Sequence, residues 1–188
     1  MNDKKRLTER RPGRGSDALD EVIRVDHAGE FGAVRIYEGQ LAVFERRQDA
    51  SDTAAVISEM ADQEAKHLET FDRLVLERRV RPTALAPVWH AAGYALGVAT
   101  ALMGPRAAMA CTVAVEEVID EHYAQQIAQE KVQADSELAA ALSSFREDEL
   151  QHRDIALSHD AEAAPGYALL SAAIKTACRT AIKLSEKI

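Results

Sequence analysis

The chain predicts an all-α protein, a four-helix bundle with one long crossover between its second and third helices, and three observations lead there. Hydrophobic residues make up 47% of the 188 positions but aromatics only 5%, with nine Gly and five Pro, a balance that favours helix over sheet. Apolar residues recur at steps of three and four through four long segments. Two of those segments carry the same pair, Glu64 with His67 and Glu149 with His152. A spacing of three puts both side chains of a pair on one helix face, about a turn apart.

Residues 1–16 are basic and polar without an apolar core, so they read as a disordered arm rather than a secretory leader. Residues 17–188 read as one domain, long enough to bury a core. Ser16 or Asp17 can cap the first helix, whose inward stripe is Ile23, His27, Glu30, Val34, Tyr37, Leu41 and Phe44. Gly29, Gly32 and Gly39 within it suggest close approach of a neighbouring helix or a ligand. A polar break from Asp49 to Asp52 precedes the second helix, with Val56, Met60, Glu64, His67, Phe71, Leu74 and Leu76 inward. So short a connection implies an antiparallel hairpin.

Between Arg81 and Arg106 no charged residue occurs. Pro87, His90, Gly93 and Gly97 interrupt that run, so a crossover fits it better than a membrane span. Its surplus apolar surface is free to rest on a membrane or a lipid substrate. Pro105 opens the third helix, which runs to Lys131 with Met109, Val113, Glu116, Ile119, Tyr123 and Ile127 in line. Glu116 has apolar neighbours at three, four and seven residues where Glu117 has acidic ones, so Glu116 faces inward and Glu117 meets solvent or another helix. Asp135 or Ser136 caps the fourth helix, which presents Leu138, Leu142, Phe145, Glu149, His152 and Ala156. After Pro165, Lys175, Arg179, Lys183 and Lys187 recur every fourth residue. That last amphipathic helix is either a membrane-surface element or a terminal helix docked on the bundle with a solvated cationic face.

The two halves repeat. Glu30 precedes Glu64 by 34 positions (64 − 30) and Glu116 precedes Glu149 by 33 (149 − 116), and a tyrosine, Tyr37 or Tyr123, follows each lone Glu by seven. Bundles that hold two metals take a Glu-x-x-His from each of two helices and a lone Glu from each of the others. Glu30, Glu64, His67, Glu116, Glu149 and His152 are therefore candidate ligands. Four carboxylates packed in a core need cations or protons to persist there, and with one imidazole per ion, iron or manganese suits them better than zinc or copper. Two ferrous ions can deliver two electrons to dioxygen, which favours oxygenase, oxidase or iron-storage chemistry over hydrolysis. Asp26, Asp120 and Asp148 are near enough in sequence to hold the second ring nitrogen of a metal-binding His. His122 and Tyr123 can handle protons or a bound phenol, with core packing the alternative for Tyr37 and Tyr123. A net charge of −8 excludes duplex nucleic acid as a partner of the body. Cys111 and Cys178, outside any Cys-x-x-Cys, read as free thiols.

The segments RVDHAGEFGAVRIYEGQ, ACTVAVEE and DELQHRDIALSHDAE, with Glu-Ala-Lys-His at 64–67, resemble the demethoxyubiquinone hydroxylase family of ubiquinone biosynthesis, over residues 17–188. The resemblance implies a ferritin-like fold and a non-haem centre of two ferrous ions per chain on Glu30, Glu64, His67, Glu116, Glu149 and His152. It implies hydroxylation of a polyprenylated methoxy-methyl-benzoquinol by dioxygen, and a His-Tyr pair of the site on His122 and Tyr123. The partners it implies are the quinol lipid, a membrane surface, and either further copies of the chain or a complex of ubiquinone-biosynthesis proteins. The short arm favours the cytoplasmic face of a bacterial membrane over the mitochondrial inner membrane of a eukaryote. The residues leave two other readings open: a ferroxidase or manganese catalase on the same fold, and a non-enzymatic lipid-binding bundle whose six side chains form an ion-pair network.

Overall fold

The computed structural model describes residues 18–188, the side chain of Gln48 excepted; the basic arm and the first helix cap lie outside the described residues. Among those, seven α-helices occur: α1 (Ala18–Phe44), α2 (Ser51–Arg78), α3 (Ala86–Leu102), α4 (Pro105–Ile127), α5 (Glu130–Gln133), α6 (Ser136–Ser158) and α7 (Tyr167–Ser185). Short 3₁₀ turns lie at Gln48–Ala50 and Ala161–Ala163, and no strand is present among the described residues. The all-helical expectation is met.

Helices α1 and α2 pair through the first 3₁₀ turn and α4 and α6 through α5, and the two hairpins meet along α1 with α4 and α2 with α6. Their apolar stripes form two clusters. One contains Phe44, Ile57, Met60, Met109 and Val113, the other Ile23, Phe71, Leu74, Leu138 and Leu142. In every long bundle helix the candidate ligands fall between the two clusters. Burying each such side chain stabilises the fold by about 1.5–3 kcal/mol, which offsets the cost of the charged middle layer.

The remaining long helices extend the repeat. Helix α3 lies along α1 and α7 lies along α4, so α1, α2 and α3 correspond to α4, α6 and α7. The contact of α1 with α3 is backbone against backbone: a Cβ added to Gly97 would overlap the carbonyl of Ile36, and one on Gly39 the carbonyl of Tyr94. Of the three glycines read as marks of close approach, Gly39 is one by its own Cβ position, whereas Gly29 and Gly32 look onto open space.

Three elements differ from expectation. The third bundle helix ends at Ile127 rather than Lys131, because Gln129 is extended (φ −79, ψ 129) and the chain restarts in α5; no Gly or Pro announces that break. Leu76 is 78% exposed, since the inward face of α2 at this level is already filled by Phe71, Leu74 and Val75. The cationic stripe of α7 is only partly free. Lys175 pairs with Glu117, and Arg179 with Glu121 at 2.9 Å, which docks that half of the stripe on α4 while Lys183 and Lys187 remain exposed. Asp135 caps α6 as read, its side chain accepting from the Leu138 amide at 3.1 Å. Among the described residues no helix is long and apolar enough to cross a membrane.

Candidate metal centre

All six candidate ligands converge, and none is more than 2% exposed. Their ligand atoms form two overlapping sets, each within 4.8 Å: Glu30, Glu64, His67 and Glu149, and Glu64, Glu116, Glu149 and His152. Glu64 and Glu149 belong to both sets. His67 Nδ1 lies 3.5 Å from Glu30 Oε2 and 3.4 Å from Glu149 Oε1. His152 Nδ1 lies 3.0 Å from Glu64 Oε1 and 3.6 Å from Glu149 Oε2.

A second layer repeats the symmetry by crossing between the hairpins. The Tyr37 hydroxyl of α1 donates to Glu116 Oε1 of α4 at 2.8 Å, and the Tyr123 hydroxyl of α4 donates to Glu30 Oε1 of α1. His67 Nε2 of α2 donates to Asp148 Oδ2 of α6 at 3.0 Å, and His152 Nε2 of α6 donates to Gln63 Oε1 of α2 at 2.6 Å. With Nε2 held this way, each imidazole turns Nδ1 inward. The Phe145 ring stacks on His67 at 4.0 Å between centroids and fixes its plane. Of the three aspartates considered, only Asp148 reaches a candidate metal His; Asp120 instead accepts from Arg146 Nε at 2.6 Å. Gln63 escaped the sequence reading. Its signal was the repeat itself, for Gln63 directly precedes Glu64 as Asp148 precedes Glu149.

Eight inward atoms have no hydrogen-bond partner: Glu30 Oε2, both oxygens of Glu64, Glu116 Oε2, both oxygens of Glu149, and Nδ1 of His67 and His152. Buried polar atoms are rarely left so. Burial first, and then the charge of Glu149, raises the pKa of Glu64 and Glu116; burial also raises that of Glu149. Burial lowers the pKa of His67, but the carboxylates of Glu149 and Glu30 beside it more than reverse this and push it up to about 10. Burial lowers that of His152. The cluster therefore collects protons when no cation is present. Its donor set, carboxylate oxygens and one free imidazole nitrogen on each side, fits two divalent cations sharing Glu64 and Glu149.

A cavity of about 320 Å³ adjoins the cluster on one side, enclosed by α1, α3, α4 and α7. Asp26, Glu30, His122 and Tyr123 form its polar end; Ile36, Trp89, Leu96, Val115, Ile119 and Ile182 line the rest, and Gly29 and Gly32 add the space their missing side chains leave. Exposed Ala92 of α3 and Ala177 of α7 lie on its outer edge, and Trp89 Nε1 donates to Ser185 Oγ at 3.1 Å across it. The crossover, read from sequence as a connection with surplus apolar surface for a membrane or a lipid substrate, and the last helix, read as either a membrane-surface element or a helix docked on the bundle, are walls of this cavity beside the ligand cage. Cys178 lines the cavity as a free thiol, and burial pushes its pKa up to about 11. The two equivalent tyrosines part here. Tyr123 faces the cavity, while the Tyr37 hydroxyl lies against Met60 in the core.

A helical bundle of the ferritin-like type with a duplicated carboxylate and imidazole cage is the class that this geometry defines. Residues 17–185 match the family described as Ubiquinone biosynthesis protein COQ7, and the chain belongs to that family. It is 51% identical over 174 residues to the human NADPH-dependent 3-demethoxyubiquinone 3-hydroxylase, mitochondrial, covering 91% of this chain and 78% of the relative. Identity is 50% over 188 residues with the 3-demethoxyubiquinol 3-hydroxylase of Rhodospirillum rubrum, covering 98% and 86%. It is 44% over 184 residues with the 5-demethoxyubiquinone hydroxylase, mitochondrial, of Saccharomyces cerevisiae, covering 90% and 78%. The resemblance carried by the motifs is borne out.

Proposed function

We propose that the chain hydroxylates a demethoxyubiquinol-type polyprenyl quinol with dioxygen, its six inward ligands holding two iron ions and its cavity holding the quinol ring. The observation that carries this reading is that Glu30 of the ligand cage, and Tyr123 which donates to it, both stand at the polar end of an apolar cavity. Glu30, Glu64, His67, Glu116, Glu149 and His152 would hold two ferrous ions, which would supply the electrons for dioxygen to react with an aromatic ring.

The chain's own groups do the rest. Glu64 and Glu149 belong to both ligand sets, and Asp148 and Gln63 hold the imidazoles with Nδ1 inward. Tyr123 fixes Glu30 on the face that meets the ring. The apolar walls exclude water from the reacting centre, and the edge at Ala92 and Ala177 gives an isoprenoid tail a way out between α3 and α7. On this reading the chain works at a membrane surface, bound peripherally: the cytoplasmic face of a bacterial membrane, or the mitochondrial inner membrane if its source is eukaryotic.

The other readings fare worse. A ferroxidase or a manganese catalase has no use for an apolar cavity that ends on a ligand. A cage serving only as an ion-pair network would set four buried carboxylates against two imidazoles, an excess of negative charge that two divalent cations would cancel. The test supplies the purified, iron-loaded chain with demethoxy-quinol and oxygen and follows product mass, with metal content measured in parallel. Hydroxylated quinol from the wild type, about two irons per chain, and loss of both in Glu149→Ala are expected. No hydroxylated product, or undiminished product from Glu149→Ala, overturns the reading.

A further inference from the structure

At the polar end of the cavity, three residues form a group that the ligand cage does not use. Gln126 Nε2 has two acceptors at 2.8 Å, Asp26 Oδ1 and His122 Nε2, one for each of its hydrogens. His122 Nε2 is itself 3.4 Å from Asp26 Oδ1. The second oxygen, Asp26 Oδ2, has no partner, although the Asp26 side chain is fully buried and lines the cavity. A buried carboxylate oxygen without a donor costs about 1–3 kcal/mol or more, and the Gln126 bond to the other oxygen holds this one in place.

Asp26 precedes Glu30 by one helical turn on the same face of α1. The two residues are about 6 Å apart along the helix, so a ring bonded to Asp26 Oδ2 lies beside a metal ligand. On the reading that this cavity seats the quinol, we propose that Asp26 Oδ2 accepts the hydrogen bond of a ring hydroxyl and makes the cavity select the reduced ring over the oxidised one. A quinol has hydroxyl hydrogens to give; a quinone offers only carbonyl oxygens, which a carboxylate repels. Burial raises the pKa of Asp26 against the opposing pull of the Gln126 N–H, so its carboxylate is a stronger base than one in water. The accepted bond draws the hydroxyl proton away from the ring and enriches the ring in electrons, as attack by an oxidant at its open carbon requires.

The chain carries a single tryptophan, and Trp89 lines this cavity, so its fluorescence reports binding without metal or turnover. The metal-free chain in detergent is titrated under argon with a decyl-tailed methoxy-methyl-hydroquinone, its benzoquinone, and its two mono-O-methyl ethers. The wild type is expected to bind the hydroquinone about tenfold more tightly than the benzoquinone, the worth of one hydrogen bond to a charged group. One of the two ethers should fall to the benzoquinone level. Asp26→Asn keeps a carbonyl for Gln126 and turns an N–H toward the ring, so the preference should vanish or reverse. If that variant does not fold by circular dichroism, the ether series on the wild type still decides. Equal binding of hydroquinone and benzoquinone, no loss with either ether, or an unchanged preference in folded Asp26→Asn overturns the proposal and leaves the quinol cavity standing. A wild type that binds none of the four overturns both.

Discussion

His67 and His152 hold equivalent places in the repeat but lean on unlike partners, a carboxylate for one and an amide for the other. The Asp148 side chain is 37% exposed, so water can replace it when it is removed. Gln63 bonds a histidine that is fully buried. Removing such outer partners typically costs 10–100-fold in metal affinity. Gln63→Leu should sit near the upper end of that range and Asp148→Ala near the lower, as read by competition titration with Mn(II) against a chromophoric chelator. The reverse order would show that charge rather than burial governs the pair. A second consequence concerns the protein without metal. Glu64, Glu116 and Glu149 bind protons more tightly folded than at the ordinary 4.5, so their stability contribution is full below that value and fades as pH rises through the folded values. His67 adds stability that is complete below its ordinary 6.5 and lost as pH rises through about 10. His152, shifted down, works the other way and costs stability as pH falls through its folded value. Three carboxylates and one imidazole outweigh one imidazole. The chelator-treated chain should lose thermal midpoint as pH climbs from about 4.5 to neutrality, and saturating Mn(II) should flatten that slope. A midpoint that rises over the window would contradict the assignment.

Glycines show how elements, rather than residues, set the sign of a substitution. Gly97 sits where α3 meets the α1 backbone, so Gly97→Ala forces the helices apart and should cost about 1–3 kcal/mol in urea unfolding. Gly29 looks onto open space inside a helix, where Ala is the better former by up to about 1 kcal/mol. Gly29→Ala should therefore stabilise the chain, whereas Gly29→Leu should leave metal content unchanged and lower quinol turnover by filling the cavity. A loss of stability in Gly29→Ala would refute the open space. These elements also divide what was legible from what was not. The ligand cage could be read because its chemistry demands a carboxylate or an imidazole on one helix face, and because the chain states the demand twice. The partnership of Asp26 with Gln126 could not: the two stand 100 residues apart (126 − 26) and meet only because α1 crosses α4. The crossover was legible as apolar and as a connection, but its small residues concealed that its backbone packs on α1 and walls the cavity. The end of α4 at Ile127 is set by tertiary packing, with Val132 of α5 buried in the core cluster beyond it.

On the scale of the molecule, the cavity edge adjoins helices that expose large apolar side chains. Helix α3 shows Val88 at 51% and Leu102 at 69% exposure, with Met103 just beyond it at 54%, and no charge interrupts residues 82–105. The edge at Ala92 and Ala177 lies between this helix and α7, whose Leu169 is 79% exposed. A lipid tail leaving there enters an apolar environment if that face rests on a bilayer, and crosses water if it does not. Two of the three α7 cations are already engaged by α4, so apolar contact rather than charge should carry most of the attachment. The chain should float with liposomes of neutral phospholipid and stay bound in 1 M salt, where the Debye length is about 3 Å, yet come off in alkaline carbonate, as a protein without a crossing helix does. Val88→Glu with Leu102→Glu should cut the bound fraction several-fold. Both positions are exposed, so folding stability should change by no more than about 0.5 kcal/mol per substitution, and turnover of a short-tailed quinol in detergent should persist. Undiminished flotation of that double variant would move the membrane face off α3, and with it the proposed exit of the tail.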